Sequence, residues 1–181
     1  MIKFSGKEMS KSVEFVSLNT AVLTISDTRN LATDSSGQYL VDQLQGVGHN
    51  VAFRDIVVDD IYLIRALISG WIAKPEIHAI ICTGGTGFTG RDSTPEAVKP
   101  LLDKEIDGFG ELFRHLSLRD VGTSTVQSRA FGGMANNTVV FCLPGSTGAC
   151  KTAWNGILKE QLDSRHSPCN FVPHTNAAVK K

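Results

Sequence analysis

Ile77-His78-Ala79-Ile80-Ile81-Cys82 runs without a break into Thr83-Gly84-Gly85-Thr86-Gly87. A short apolar run that stops at glycines reads as a strand covered on both faces. Such strands belong to parallel sheets sandwiched between helices. Four glycines (Gly84, Gly85, Gly87 and Gly90) fall within seven residues of the strand's end. Glycine permits positive φ and lets backbone approach a ligand with no Cβ in the way. Successive exposed N–H groups then form a concavity that suits an anion.

Outward from this stretch the strand signal recurs. Ala21-Val22-Leu23-Thr24-Ile25 and Thr138-Val139-Val140-Phe141-Cys142-Leu143 are near-continuous apolar runs. Val51-Ala52-Phe53-Arg54-Asp55-Ile56-Val57-Val58 carries a polar pair, which suits a strand nearer the sheet edge. Helical stripes fill the gaps. Leu40, Val41, Leu44 and Val47 form one, behind possible caps in Asp34-Ser35-Ser36. Ile61, Ile64, Leu67, Ile68 and Trp71 form a second, opened by Asp59 or Asp60 and ended before Pro75. Phe109, Leu112, Phe113 and Leu116 form a third, with Asp107 as its expected cap. Ala153, Trp154, Ile157, Leu158 and Leu162 form the last.

The alternating order predicts a single-domain α/β fold. It would have three αβα layers around a mostly parallel, doubly wound, Rossmann-like sheet with right-handed crossovers. At 181 residues the chain can bury a core without staples. The expected division is an N-terminal arm over residues 1–19, a folded domain over 20–163 and a flexible C-terminal tail over 164–181. The arm would be mobile or would dock on a neighbouring subunit.

Eighteen basic residues balance eighteen acidic ones, which removes the net basic field that non-specific nucleic-acid binding needs. No apolar run is long enough to span a bilayer. Cys82, Cys142, Cys150 and Cys169 form no C-x-x-C pair, and free thiols without a signal peptide predict a cytoplasmic setting. The five histidines show no metal-ligand spacing, and no Ser-His-Asp or Cys-His arrangement is legible.

In an open parallel sheet the ligand lies beyond the carboxyl ends of the strands. Those ends carry Ser26-Asp27-Thr28-Arg29, then Asp59-Asp60, then the glycine loop with Arg91-Asp92-Ser93-Thr94-Pro95, then Pro144-Gly145-Ser146-Thr147-Gly148. Gly85-Thr86-Gly87-Phe88-Thr89-Gly90 formally matches G-x-G-x-x-G. It follows the third strand, however, and a Thr-Pro pair soon interrupts the helix that a dinucleotide site requires. The same segment misses the P-loop pattern, because Arg91 and Asp92 replace Lys and Ser or Thr. Thr94, ahead of Pro95 and Glu96, reads as a helix cap. Asp92 lies two residues earlier, beside the anion loop. A carboxylate there suits a Mg²⁺-related role, and Asp59 could share it or cap the second helix. Ser146 or Thr147 is expected to cap the last helix, whose N-terminus would favour an anion.

Four segments together resemble the MoaB/MogA family of molybdenum cofactor biosynthesis proteins. They are Thr83-Gly84-Gly85-Thr86-Gly87, Arg91-Asp92-Ser93-Thr94-Pro95-Glu96-Ala97, Asp107-Gly108-Phe109-Gly110-Glu111 and Leu143-Pro144-Gly145-Ser146-Thr147-Gly148-Ala149. The resemblance spans about residues 20 to 163 and leans towards the MoaB branch. It implies a molybdopterin-binding fold, with ATP and Mg²⁺ used to adenylylate the pterin's terminal phosphate and release pyrophosphate. It also implies a homo-oligomer, a trimer or a hexamer, acting on small molecules. The family's two important aspartates fall on Asp59 and Asp92, which would act in catalysis and on the metal. Ligand-contacting regions fall on Ser26, Asp27, Thr83, Gly84, Gly85, Thr86, Gly87, Thr94, Glu111, Pro144, Gly145, Ser146, Thr147 and Gly148. Many active members have Pro-Gly-x-Pro where this chain has Pro144-Gly145-Ser146-Thr147, and Pro-Gly-Phe-Gly-Glu where it has Asp107-Gly108-Phe109-Gly110-Glu111. Three readings therefore stand: an adenylyltransferase, a non-catalytic pterin or nucleotide carrier in the same pathway, and, third, an unrelated Rossmann-type NAD enzyme.

Overall fold

The structure, a computed structural model, describes residues 14–178. Strands β1 (Asn19–Ile25), β2 (Asn50–Val57), β3 (Ala79–Thr83), β4 (Lys104–Glu105), β5 (Phe131–Ala135) and β6 (Thr138–Leu143) form one sheet in the order β2-β1-β3-β6-β5-β4. Neighbours among β2, β1, β3 and β6 pair in parallel, while β5 and β4 add an antiparallel margin. The α/β class, the mostly parallel sheet and the marginal place of β2 agree with the sequence pattern. Helices α1 (Ser35–Gly46), α2 (Ile61–Ile72), α3 (Thr94–Val98), α4 (Asp107–Val121), α5 (Thr147–Ala153) and α6 (Lys159–Gln161) complete the regular elements. A wider π turn, Trp154–Leu158, joins α5 to α6.

Side chains alternate across the strands and so fill two cores. Val22, Ile81, Val139 and Phe141 pack with Leu40, Phe113 and Trp154 on one face. Leu23, Ile80, Cys82, Val140 and Cys142 pack with Ile64, Ile68 and Ala97 on the other. Cys82 and Cys142 are register partners within this second core. Burial, followed by the Cys82 neighbour, pushes the Cys142 thiol well above its ordinary value, so it behaves as a small hydrophobe.

Three expectations change. The hairpin Phe131–Leu143 supplies β5, and its turn is Asn136-Asn137, with φ of 48° and 59°. Both central residues at positive φ make the tight turn that suits a twisted hairpin. The stretch Phe131-Gly132-Gly133-Met134 has too little apolar alternation to announce this strand. Asp107 is not a cap either: Ile106 holds that position, and Asp107 is the first helical residue. Its charge still complements the helix dipole.

The expected flexible tail is docked over residues 164–178. Phe171 meets Phe141 edge-on at 5.9 Å, and Val172 and Thr175 are buried. The start of the domain is tied to the same segment: Val16 N–H donates to Ser164 Oγ (2.8 Å), and the Ser164 hydroxyl donates to Glu14 O (2.8 Å). Short irregular turns anchored by a few apolar residues carry no periodic signal, which is why this part read as loose. The arm expected over residues 1–19 lies outside the described residues up to residue 13. Beyond that, Leu18 is fully buried and β1 has already begun at Asn19.

Two histidines fasten the entry to the sheet. His49 Nδ1 accepts from Leu18 N–H (3.1 Å), and His78 Nδ1 accepts from Asn19 N–H (2.9 Å). Burial pushes both imidazoles below the ordinary value of 6.5, with Asp163 opposing this at His49. The unfolded chain therefore takes up protons first as pH falls. Stability is complete above the unfolded value and is lost as pH drops through the folded values. Thermal melts taken from about pH 8 to about pH 5 should show a falling midpoint in the acid half. Replacing both histidines by Asn should flatten that slope; an unchanged slope would refute the assignment.

Candidate active site

The glycine loop leaves β3 at the point where the crossovers diverge. β1 connects to β2 on one side, while β3 leads towards β6 on the other. Gly84 has φ +111° and Gly85 has φ +63°. A Cβ on Gly84 would lie 2.1 Å from Ile25 O, and one on Gly85 would lie 2.3 Å from Thr94 Oγ1. Both positions therefore require glycine, for conformation and for space. Gly84 N–H donates to Leu143 O (2.9 Å), which ties the loop to the end of β6.

Thr94 is not the cap that its position suggested. The cap position belongs to Ser93, and Thr94 is the first residue of α3. The buried Thr94 hydroxyl donates to Gly84 O (2.9 Å) and its N–H donates to Gly85 O (3.0 Å). Two loop carbonyls are thus turned towards α3. Among the described residues, the N–H groups of Gly85 and Thr86 have no protein acceptor. They supply the donors of the expected anion concavity.

Asp60 caps α2, its Oδ1 accepting from Tyr62 N–H and Leu63 N–H at 2.9 Å. Asp59 is thereby released from that duty. Its Oδ1 accepts from Ser93 N–H (3.0 Å) and from the Ser93 hydroxyl, and its Oδ2 lies over Gly85. Asp92 Oδ2 accepts from Thr89 N–H (2.8 Å) and the Thr89 hydroxyl (2.6 Å), and the carboxylate lies over Gly87. Partial burial pushes the Asp92 carboxyl up. The bonds from Thr89 and Gly87 and the charge of Arg129 outweigh this and hold it below the usual carboxylate value. Two anionic oxygen donors therefore flank one glycine loop. That is the hard, partial ligand set with which proteins hold Mg²⁺ already carried by substrate phosphates. Among the described residues no group of three or more His, Cys, Asp or Glu is arranged to hold a metal by itself.

The first and last strand ends close the cleft. Ser26 Oγ accepts from Arg29 N–H (3.2 Å), and Asp27 Oδ1 accepts from Asp59 N–H (3.1 Å) while Oδ2 pairs with Arg91 (2.8 Å). Ser146 caps α5, accepting from Ala149 N–H (3.1 Å). The Ser36 hydroxyl donates to Gly145 O (2.9 Å) and receives from Arg29 Nη1 (3.0 Å). Thr147 Oγ1 lies 3.0 Å from Ser35 Oγ. Behind these contacts is Asp34, a buried carboxylate. It accepts from Gly37 N–H (2.9 Å) and the Thr24 hydroxyl (2.8 Å), with Arg54 at 3.4 Å. The Thr83 hydroxyl is also structural: it is fully buried and donates to Pro144 O (2.9 Å). Beside it, burial pushes the Cys150 thiol up to about 11, which excludes a thiolate nucleophile at neutral pH.

Thr86, Gly87, Pro144, Ser146 and Gly148 line a mainly apolar cavity of about 410 Å³. Phe113, Ser117, Val121 and Thr125 form its far wall. The expected Glu111 is not part of it. Glu111 lines a neighbouring charged cleft with Glu96, Lys99, Arg114 and Arg129, and Arg129 in turn bonds the loop at Gly87 O.

A family model described as a probable molybdopterin binding domain matches residues 21–164. The molybdenum cofactor biosynthesis protein B of Escherichia coli (strain K12) is 51% identical over 163 residues, which are 90% of this chain and 96% of that protein. The chain belongs to the MoaB/MogA family of molybdenum cofactor biosynthesis proteins. A crystal structure of a molybdenum cofactor biosynthesis protein B superposes with a TM-score of 0.75 at 46% identity, covering 78% of this chain and 88% of that one. The tungsten cofactor synthesizing protein MoaB of Pyrococcus furiosus superposes with a TM-score of 0.71 at 37% identity, covering 80% and 92%. No helix among the described residues is long and apolar enough to cross a membrane.

Three further residues make contacts around this candidate site without a sequence signal for that role: Arg29, Asp34 and Arg129. The Asp34-Ser35-Ser36 cluster signals only a cap, and Asp34 does cap α1. Arg129 had no local signal, because its side-chain bonds span 33 to 42 residues.

Proposed function

We propose that this chain adenylylates molybdopterin, with Mg·ATP as the second substrate. An oxygen of the pterin's terminal phosphate attacks the α-phosphorus of ATP. The bond between that phosphorus and the bridging oxygen to the β-phosphorus breaks, and pyrophosphate leaves with the electron pair. The observation that carries this reading is the placing of Asp59 and Asp92 over Gly85 and Gly87, beside free loop N–H groups. Phosphoryl-type transfer needs positioned substrates and neutralised charge more than a protein nucleophile. The loop N–H groups would hold a phosphate. The two carboxylates would hold the Mg²⁺ that accompanies ATP. The adjoining 410 Å³ cavity is of a size for a pterin, with Phe113 and Val121 against its faces and Ser117 and Thr125 for its polar edge.

Pyrophosphate release from the purified protein tests this. Release should require both molybdopterin and Mg·ATP, and should vanish when either is left out. No release above background, under conditions where an active relative turns over, would defeat the reading.

A second reading rests on the last strand turn. Thr147 stands at the end of Pro144-Gly145-Ser146-Thr147, and its hydroxyl is within bonding distance of Ser35 and Ser36. A turn so fastened suits a carrier that binds pterin or nucleotide without turnover. Calorimetry would then find binding that survives Asp92→Ala, and measurable turnover would exclude it.

A further inference from the structure

Arg129 lies between the 3₁₀ turn Gly122–Gln127 and β5, remote in sequence from the glycine loop. Its backbone N–H donates to Thr86 O (3.1 Å). Its side chain then reaches back across the loop. Nε donates to Gly87 O (2.7 Å), Nη2 donates to Asp92 O (2.7 Å) and Nη1 pairs with Glu96 in the first turn of α3. The guanidinium carbon lies 5.3 Å from the centroid of the Phe88 ring.

The segment Gly87–Asp92 thus begins and ends on one planar group. Its internal bonds, Asp92 N–H to Thr89 O (3.0 Å) and Thr89 to the Asp92 carboxylate, shape a turn. They leave open the angle at which that turn stands to Gly85 and Thr86. A guanidinium fixes such an angle because its donors lie in one rigid plane and serve separate acceptors at once. Lysine, a point charge on a flexible stem, cannot span Gly87 O, Asp92 O and Glu96 together.

We propose that Arg129 is a positioning residue of this site: its fork sets the Asp92 carboxylate at a fixed place relative to the Gly85 and Thr86 N–H groups, without touching substrate. The proposal rests on the adenylylation reading for what is positioned. Its structural half stands apart from that reading. Arg129 governs the order of residues 85–92, and the effect reaches no further than Glu96 in α3, because β1, β3 and β6 make none of its contacts.

The test uses the full-length protein with Arg129→Met and, in case that variant folds poorly, Arg129→Lys. Amide hydrogen exchange is followed in the free protein, and steady-state kinetics are run with Mg·ATP and molybdopterin. Exchange of the Thr89 and Asp92 amides, the hydrogen-bonded ones of this segment, should rise at least about tenfold in both variants, with strand amides unchanged. The kcat should fall about 100-fold while KM for ATP stays within about threefold, and Lys should restore less than about a tenth of the loss. Unchanged exchange of the Thr89 and Asp92 amides would overturn the proposal. So would full recovery of kcat by Lys, which would leave charge as the whole effect, or a rise in KM with kcat retained. A wild-type protein that does not turn over defeats the adenylylation reading, while the exchange result still decides whether Arg129 is the clamp.

Discussion

Gly84→Ala is expected to destabilise the protein by about 4 kcal/mol, combining strained backbone with a forced shift of packed neighbours. The φ of +111° is one that L side chains rarely adopt, so the alanine starts strained. Its Cβ would also stand 2.1 Å from Ile25 O, the last carbonyl of β1. That oxygen is backbone at a sheet end and cannot rotate aside. Relief requires β1 and β3 to move apart, or the loop to leave Leu143 O and Thr94. Such a loss is a large share of the roughly 5–15 kcal/mol that holds a domain folded. Denaturant unfolding measures it directly. Gly70→Ala is the control, since nothing lies within 4 Å of its added Cβ inside α2. That variant should be neutral or gain up to about 1 kcal/mol from helix propensity. If the two variants unfolded at the same denaturant concentration, the steric account of the loop would be wrong.

Asp92→Ala is expected to leave the fold almost intact and to cut turnover by about 10³-fold. Its carboxylate is partly exposed and bonds chiefly to Thr89, three residues away, so its removal should cost stability only about 1 kcal/mol. The catalytic loss is larger because the missing charge faces the Mg·ATP phosphates in the proposed reaction. Asp92→Asn should fall nearly as far, since it keeps the shape but not the charge. Asp60→Ala should behave in the opposite way. It loses the α2 cap, costs about 1 kcal/mol and leaves kcat near wild type. Pyrophosphate release together with thermal melts separates Asp60→Ala from the two Asp92 variants. Turnover by Asp92→Ala within about threefold of wild type would remove Asp92 from the catalytic machinery.

The contrast between Asp59 and Asp60 shows where sequence reading stops. Two adjacent aspartates at a strand end were equal candidates for the cap. Only the placement of Tyr62 and Leu63 N–H against Asp60 Oδ1 separates them. Thr94 shows the same limit in reverse. Its place before Pro95 suits a cap, yet its hydroxyl is spent on Gly84 O, ten residues back. Glu111 belongs to a motif of the family and lines a cleft that reaches the glycine loop only through Arg129 and Glu96.

The layers, the parallel strands and the glycine loop were legible in the chain because they rest on short-range physics. A strand buried on both faces must be apolar throughout, a helix against a sheet must show its stripe, and a loop at positive φ must hold glycine. The antiparallel β5, the docked segment 164–178, the Asp34 network and the Arg129 clamp were not legible. β5 pairs with β6 through a two-residue turn but lacks the apolar alternation that marks a strand, while the others join groups from 10 to 150 residues apart, a meeting that no local pattern encodes. In the glycine loop the two kinds of information join. Its residues carry the pattern expected of an anion grip, while Ile25, Thr94 and Arg129, all from elsewhere in the chain, hold the loop in its conformation.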